Sequence, residues 1–409
     1  MTAPVQRRVE DFEYPSEEIQ QCPYPFFAAL REQCPVYRVP GRDVVQLSRH
    51  DDLRSAIQHW EAASSDRSWL VQEISPEATE ILKDAWPQRD LLLGEDPPSQ
   101  TKHRKLVGYA FTPKRIQPLH DRVTEMADAL IDAFVGRGEV DWIAEYADLL
   151  PARVITALLG VPFSDHDRIA VFAENYLDWT AKGINPLTLE REIECAHSIV
   201  EFQRYVHDQL ETLREAPGEN LLSDLAVSDE IDEGIKIDVA RSMLVAGVET
   251  TRGLLGSSVL LLLQHPEQLA LIRRDPTLIA PAVEEALRFE SPAQRASRWL
   301  KDELEVDGET VSPGRYMQLL LGSANRDERV FERPDEFDIT RPDVDRHLAF
   351  GQGLHFCIGS PLARLEGQVT LERLLARLPN VRLAPGQPIR YRDNPLTRCL
   401  AHLQLEWDV

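Results

Sequence analysis

Along most of this chain the apolar positions recur at helical spacing, and strand-like runs are confined to a short stretch near the start and to the last third. Residues 36–48 (Val-Tyr-Arg-Val-Pro-Gly-Arg-Asp-Val-Val-Gln-Leu-Ser) predict a hairpin of two short strands turning at Pro40-Gly41. From Asp51 to about residue 290 the pattern is mostly helical, punctuated by prolines at 97, 98, 113, 151, 162, 266, 276 and 281. Lys236 to Gln264 is apolar on most sides and predicts a helix of about 43 Å buried through the core. Strand-like runs return at Ser297–Leu300 and Tyr316–Leu321, with a turn at Ser312-Pro313-Gly314. A proline-rich irregular stretch follows at 325–350. A last helix is expected from about Leu362 to Leu378, then short strands near 380–384 and 400–407. Helices should dominate, and the few strands, drawn from both ends, should share sheets within one interwoven unit.

Composition narrows the classes of partner. The 409 residues carry a net charge of −23, which argues against nucleic acid and anionic membranes. Residues 1–18 hold charges throughout and no apolar core, so no leader or anchor is expected. The five cysteines (22, 34, 195, 357 and 399) are scattered and form no C-x-x-C pair, so neither a disulfide framework nor a zinc site is predicted. A soluble protein of a reducing cytoplasm is expected. One basic island stands out. Gln100 to Arg115 contains Lys102, Arg104, Lys105, Lys114 and Arg115 and no acid. It suits an acidic partner or carboxylates, or is a solvated face.

Three local patterns carry chemistry. In Phe350-Gly-Gln-Gly-Leu-His-Phe-Cys357-Ile-Gly359, a cysteine sits among glycines just before the pattern Ser360-Pro361-Leu362-Ala363-Arg364-Leu365-Glu366. Proline suits a first helical turn, so the sulfur should lie near free N–H groups and the positive end of a helix dipole, which favour thiolate. A thiolate so presented is a ligand for iron, and flanking glycines let a flat macrocycle approach. A buried structural cysteine is the alternative. In the long helix, Ala246-Gly247-Val248-Glu249-Thr250-Thr251 places a glycine, an acid and two hydroxyls where a buried helix gains little from them. Thr250 can bond back to the Ala246 carbonyl and open a groove, or Gly247 is a packing position and Glu249 a surface acid. Glu285 and Arg288, three apart, share a helix face and can pair, buried or as an ordinary surface bridge.

The spacing F-x-x-G-x-x-x-C-x-G followed by L-A-R-x-E resembles the haem-binding loop of the cytochrome P-450 family, and A-G-x-E-T-T resembles its oxygen-binding helix. The resemblance runs from the hairpin near residue 40 to the last strands. It implies a mainly α fold, the cytochrome P-450 triangular prism with a long central helix and small β-sheets, as a single haem-thiolate domain over 1–409. It implies haem b with Cys357 as axial ligand and metal contact, flanked by Phe350 and Gly359. Glu249 and Thr250 would be the catalytic acid and alcohol that supply protons for dioxygen cleavage. Glu285 and Arg288 would pair with Arg341 to lock the cysteine loop. Asp96-Pro-Pro-Ser-Gln-Thr-Lys-His-Arg104 is similar to the family's D-P-P-x-H-T-x-x-R segment, with Gln100 in place of the histidine. Gln100, Arg104, Arg298 and His355 would then meet the haem propionates, with Arg295 a rival of Arg298 and His103 out of register, packing or facing solvent. The implied activity is insertion of one oxygen atom from dioxygen into a small apolar or aromatic substrate. No G-x-G-x-x-G fingerprint or four-cysteine cluster is present, so electrons would come from a separate ferredoxin and its reductase. A peroxide-driven enzyme of the same fold and a haem sensor are the rivals. Candidate pocket segments are Trp69–Ile81, Tyr176–Leu187, Met243–Thr250 and Ala293–Ser297, with Trp69, Tyr176, Leu177, Trp179 and Ile184 as apolar lining.

Overall fold

The computed structural model describes residues 7–66, 73–89, 91–182, 186–218, 220–229, 231–394 and 396–409. The expected Trp69 and Ile184 lie outside these. The principal helices are α1 (Ser99–Gly108), α2 (Leu119–Asp132), α3 (Leu150–Leu159), α4 (His166–Ala181), α5 (Leu189–Glu215), α6 (Glu233–Gln264), α7 (Ile279–Phe289) and α8 (Ser360–Arg377). The chain divides into two compact units. One comprises Met1–Ser65, Ile116–Ala147 and Thr250–Val409, the other Asp66–Arg115 and Asp148–Glu249.

The first unit holds the sheets. The expected hairpin forms from β1 (Val36–Arg38) and β2 (Val44–Leu47), in antiparallel register with Tyr37 opposite Gln46. Gly41, at φ +71°, takes the left-handed turn conformation that glycine adopts without steric cost. The remaining strands are β3 (Ala63–Ser64), β4 (Glu139–Asp141), β5 (Ala296–Leu300), β6 (Leu304–Val306), β7 (Glu309–Val311), β8 (Tyr316–Leu319), β9 (Arg382–Leu383) and β10 (Gln404–Glu406). The five-stranded sheet runs β1-β2-β8-β5-β3, so a strand from residues 44–47 pairs in parallel with one from 316–319. Distant segments do share sheets. The hairpin β6-β7 was not foreseen. Val36, Val45, Leu47, Leu53, Met317 and Leu319 fill the core beside this sheet. A second core surrounds the fully buried Trp142, stacked 4.0 Å from Tyr146.

The second unit is helical. Pro151 starts α3 without losing a hydrogen bond, and Gly160 ends it at φ +90°. The Thr188 side chain accepts the Arg191 N–H to cap α5. The expected long helix is α6, with 32 residues, continuous and about 48 Å long. It begins in one unit and ends in the other. Among the described residues, no helix is long and apolar enough to cross a membrane.

Candidate active site

The cysteine loop is built by local backbone geometry. The Cys357 N–H donates to the Phe350 carbonyl at 2.8 Å, closing the loop on itself. Gly351 and Gly353 make that closure possible at φ +65° and +67°, where a side chain is disfavoured. Helix α8 then starts as expected, with Gly359 at the N-cap and Pro361 in the first turn. The Cys357 carbonyl accepts the Ser360 N–H at 3.3 Å. Gly359 has an ordinary φ of −81°, and a Cβ there would meet the Cys357 Sγ only at 3.9 Å. Cys357 and His355 are half-buried, while the apolar Leu354 and Phe356 are 37% and 39% exposed. A soft sulfur donor on a loop that turns apolar side chains outward fits a flat, largely apolar macrocycle carrying iron.

Behind the loop lies a buried polar lock in the same unit. Glu285 and Arg288 are fully buried and form a bidentate pair at 2.7 and 2.8 Å, not a surface bridge. Arg341 Nε reaches the same carboxylate at 3.2 Å, and the Asp338 N–H donates to it at 2.9 Å. Arg288 also donates to the carbonyls of Asn325, Pro334 and Glu336. The irregular stretch before the loop is thereby bound to α7.

Glu284 was not foreseen as a site residue. It accepts from Arg364 of α8 at 2.6 and 2.9 Å and from His347 at 3.1 Å. The Ala349 N–H donates to His347 Nδ1, so Nε2 carries the proton given to Glu284. Burial raises the Glu284 pKa, but these donors outweigh it and hold the carboxyl at about 2. Arg364 lies 4.6 Å from the centre of the Phe350 ring. Helices α7 and α8 approach so closely that a Cβ at Gly367 would lie 3.0 Å from Val283. The L-A-R run was the available signal, since it placed Arg364 one turn into the helix.

Helix α6 has an unusual window. Ala246 is exposed and Ser242, Val245 and Thr250 are half-buried, at i, i+3, i+4 and i+8 on one face of a helix otherwise mostly buried. Glu249 is buried at 7% and Thr251 at 5%. Glu249 is therefore no surface acid. Gly247 is a packing position, because a Cβ there would meet Ile155 of α3 at 3.2 Å. The packing reading thus holds for Gly247, and the surface reading fails for Glu249.

The remaining predicted positions fall as follows. Arg298 is buried on β5 and donates to the Ser297 carbonyl at 2.8 Å. Its rival Arg295 is tied to the Tyr14 hydroxyl at 2.7 Å. Cys357, Phe350, His355 and Gly359 lie together on one loop, and Thr250 and Glu249 are adjacent on α6. Gln100 is buried and Arg104 half-buried on α1. His103 does not face solvent: it is buried against Glu95, with Nδ1 2.9 Å from Oε2. In the second unit a small cavity is lined by Phe172, Tyr176, Ile199, Phe202 and Leu244, with the Arg241 guanidinium 4.4 Å above the Tyr176 ring.

A mainly helical chain with small mixed sheets, a glycine-bounded cysteine before a helix and a buried Glu-Arg-Arg lock defines the haem-thiolate oxygenase class. The comparisons agree. The family model described as Cytochrome P450 matches residues 203–399. The chain is 38% identical to the Vitamin D(3) 25-hydroxylase of Pseudonocardia autotrophica over 94% of its length and 93% of that protein. It is 34% identical to the 6-deoxyerythronolide B hydroxylase of Saccharopolyspora erythraea, over 94% and 96%. The crystal structure of P450BioI in complex with hexadec-9Z-enoic acid ligated acyl carrier protein superposes with TM-score 0.86 at 30% identity, covering 96% and 100%. The chain belongs to the cytochrome P450 family and is a monooxygenase of that family.

Proposed function

We propose that the protein inserts one oxygen atom from dioxygen into a small apolar or aromatic molecule, with haem b held by the Cys357 thiolate. The observation that carries this reading is the closed loop around Cys357, with its half-buried sulfur, left-handed glycines and following helix N-terminus. The haem supplies the oxidising power for attack on an unactivated C–H bond. The chain's own residues bind, orient and supply protons. The α8 N-terminus and its N–H groups stabilise the sulfur as thiolate. The Arg364 guanidinium lies over the Phe350 ring at the start of the loop. Arg298, His355, Gln100 and Arg104 are the proposed propionate partners, Gln100 offering a neutral donor where a cation is usual. Glu249, buried on α6, and the neighbouring half-buried Thr250 hydroxyl are the proposed acid and alcohol of the proton supply. We take residues 1–409 to act as one haem domain in the cytoplasm.

An apolar substrate is supported by the aromatic lining of the second unit's cavity and by vitamin D(3), an apolar molecule, in the name of a relative. Lys102, Lys105, Lys114 and Arg115 are exposed and pair with no acid among the described residues, which suits an acidic ferredoxin fed by its reductase. The test is spectroscopic. Reduced protein with carbon monoxide should show the red-shifted Soret band of a thiolate haem, and Cys357→His should lose it. Persistence of that band in the variant would assign the ligand elsewhere.

A further inference from the structure

Helix α1 starts without the usual devices. No side chain caps its N-terminus, and its first turn holds no acid. Its buried face is polar where an apolar stripe is the norm: Gln100 and His103 lie one turn apart, with only Val107 apolar. The missing acid comes from outside the helix. Glu95 accepts the Ser99 hydroxyl at 2.8 Å and stands 2.9–3.0 Å from His103 Nδ1 through both its oxygens. The same carboxylate accepts the Leu92 N–H at 3.1 Å, and Leu92 holds a left-handed φ of +70°, strained for a bulky residue. One acid therefore fixes the incoming loop, the first residue of α1 and its second turn.

This arrangement controls rotation. His103 is three residues after Gln100 and immediately before Arg104, so a pin at His103 sets the direction of both neighbours. A helix free to roll about its axis would carry Gln100 and Arg104 with it. We propose that Glu95 and His103 form a brace that fixes the rotation of α1 and aims Gln100 and Arg104 at the haem edge. Both are positioning residues, acting through Arg104 and, for its neutral hydrogen bond, Gln100. The proposal rests on the reading of Arg104 as a propionate partner.

The experiment is haem transfer from the holoenzyme to excess apomyoglobin, with thermal unfolding recorded for each variant. Arg104→Ala should release haem about tenfold faster, as expected for one lost charge-assisted hydrogen bond. His103→Leu and Glu95→Gln should each speed release several-fold, and His103→Gln, which can still donate to Glu95, should restore most of the loss. In the Arg104→Ala background, His103→Leu should add much less than it does alone, because only the neutral Gln100 is then left to aim. Wild-type release from both His103→Leu and Glu95→Gln, beside fast release from Arg104→Ala, overturns the brace and leaves the Arg104 reading intact. Additive effects in the double variant, or no recovery in His103→Gln, reduce the pair to fold stability and also overturn it. Wild-type release from Arg104→Ala removes both the brace and the propionate assignment. Should His103→Leu fail to fold, the near-isosteric Glu95→Gln carries the same comparison.

Discussion

Replacing Arg288 by alanine strips one side chain from five hydrogen bonds, two to Glu285 and three to backbone carbonyls. The losses are unequal. Glu285 keeps Arg341 Nε and the Asp338 N–H, and the Glu336 carbonyl keeps Arg341 Nη2 at 3.0 Å. The carbonyls of Asn325 and Pro334 lose the guanidinium that serves them, at roughly 1–3 kcal/mol each. Glu285 loses its bidentate partner in a fully buried site. Together these give about 4 kcal/mol, within the roughly 3–5 kcal/mol typical of breaking a buried pair. Arg341→Ala leaves the bidentate pair in place and should cost less, about 2–3 kcal/mol. Arg288→Lys keeps the charge but not the fork, and should recover only part of the loss. The assay is denaturant unfolding of holoprotein followed by tryptophan fluorescence, with haem content read at the Soret band. Because the carbonyls at stake belong to the stretch leading into the Cys357 loop, haem content should fall with stability. An Arg288→Ala protein with full haem and a wild-type midpoint would refute the reasoning.

Thr250→Ala should bind substrate and accept electrons normally while diverting oxygen to peroxide, whereas Glu249→Gln should slow turnover; the ratio of product to reduced nicotinamide consumed, with peroxide assayed alongside, decides. Charge reversal at Lys105 or Lys114 should slow reduction by an acidic ferredoxin at low salt and leave substrate affinity unchanged, since both side chains are exposed; stopped-flow reduction rates equal to wild type would make the patch a solvated face. Glu284 has its folded pKa depressed from 4.5 to about 2, so its contribution is fully present above about pH 4.5 and fades as pH falls toward 2. Allowing for its partial exposure, that contribution is about 2 kcal/mol, and Glu284→Gln should flatten the acid limb of the stability–pH curve over this window.

The features legible in the chain are those settled by neighbours in sequence. The hairpin at 36–47 follows from two short runs and a glycine turn, and its register is observed. The long helix follows from an apolar surface on most sides, which only burial accommodates. The cysteine loop follows from spacing over ten residues, because glycine φ angles, a proline in a first turn and one backbone hydrogen bond are all local. The resemblance to the cytochrome P-450 family rested on such local patterns, and whole-chain relatives bear it out.

What tertiary structure decided is which polar side chains are removed from water, and by whom. The sequence allowed Glu285-x-x-Arg288 to be a surface bridge; the carbonyls of residues 325–336 and Arg341 make it a fully buried lock. Glu284, one residue earlier, gained a role only because Arg364 and His347 arrive from far along the chain. The sequence left His103 either packed or facing solvent; Glu95, folded back against it, makes it packed. Gly247 proved a packing position because it faces Ile155, and Glu249, two residues on, is buried and not a surface acid. Periodicity reports which face of an element is apolar. Whether a charge on the other face is solvated or buried depends on partners from distant segments, and desolvation makes that difference worth several kcal/mol per group.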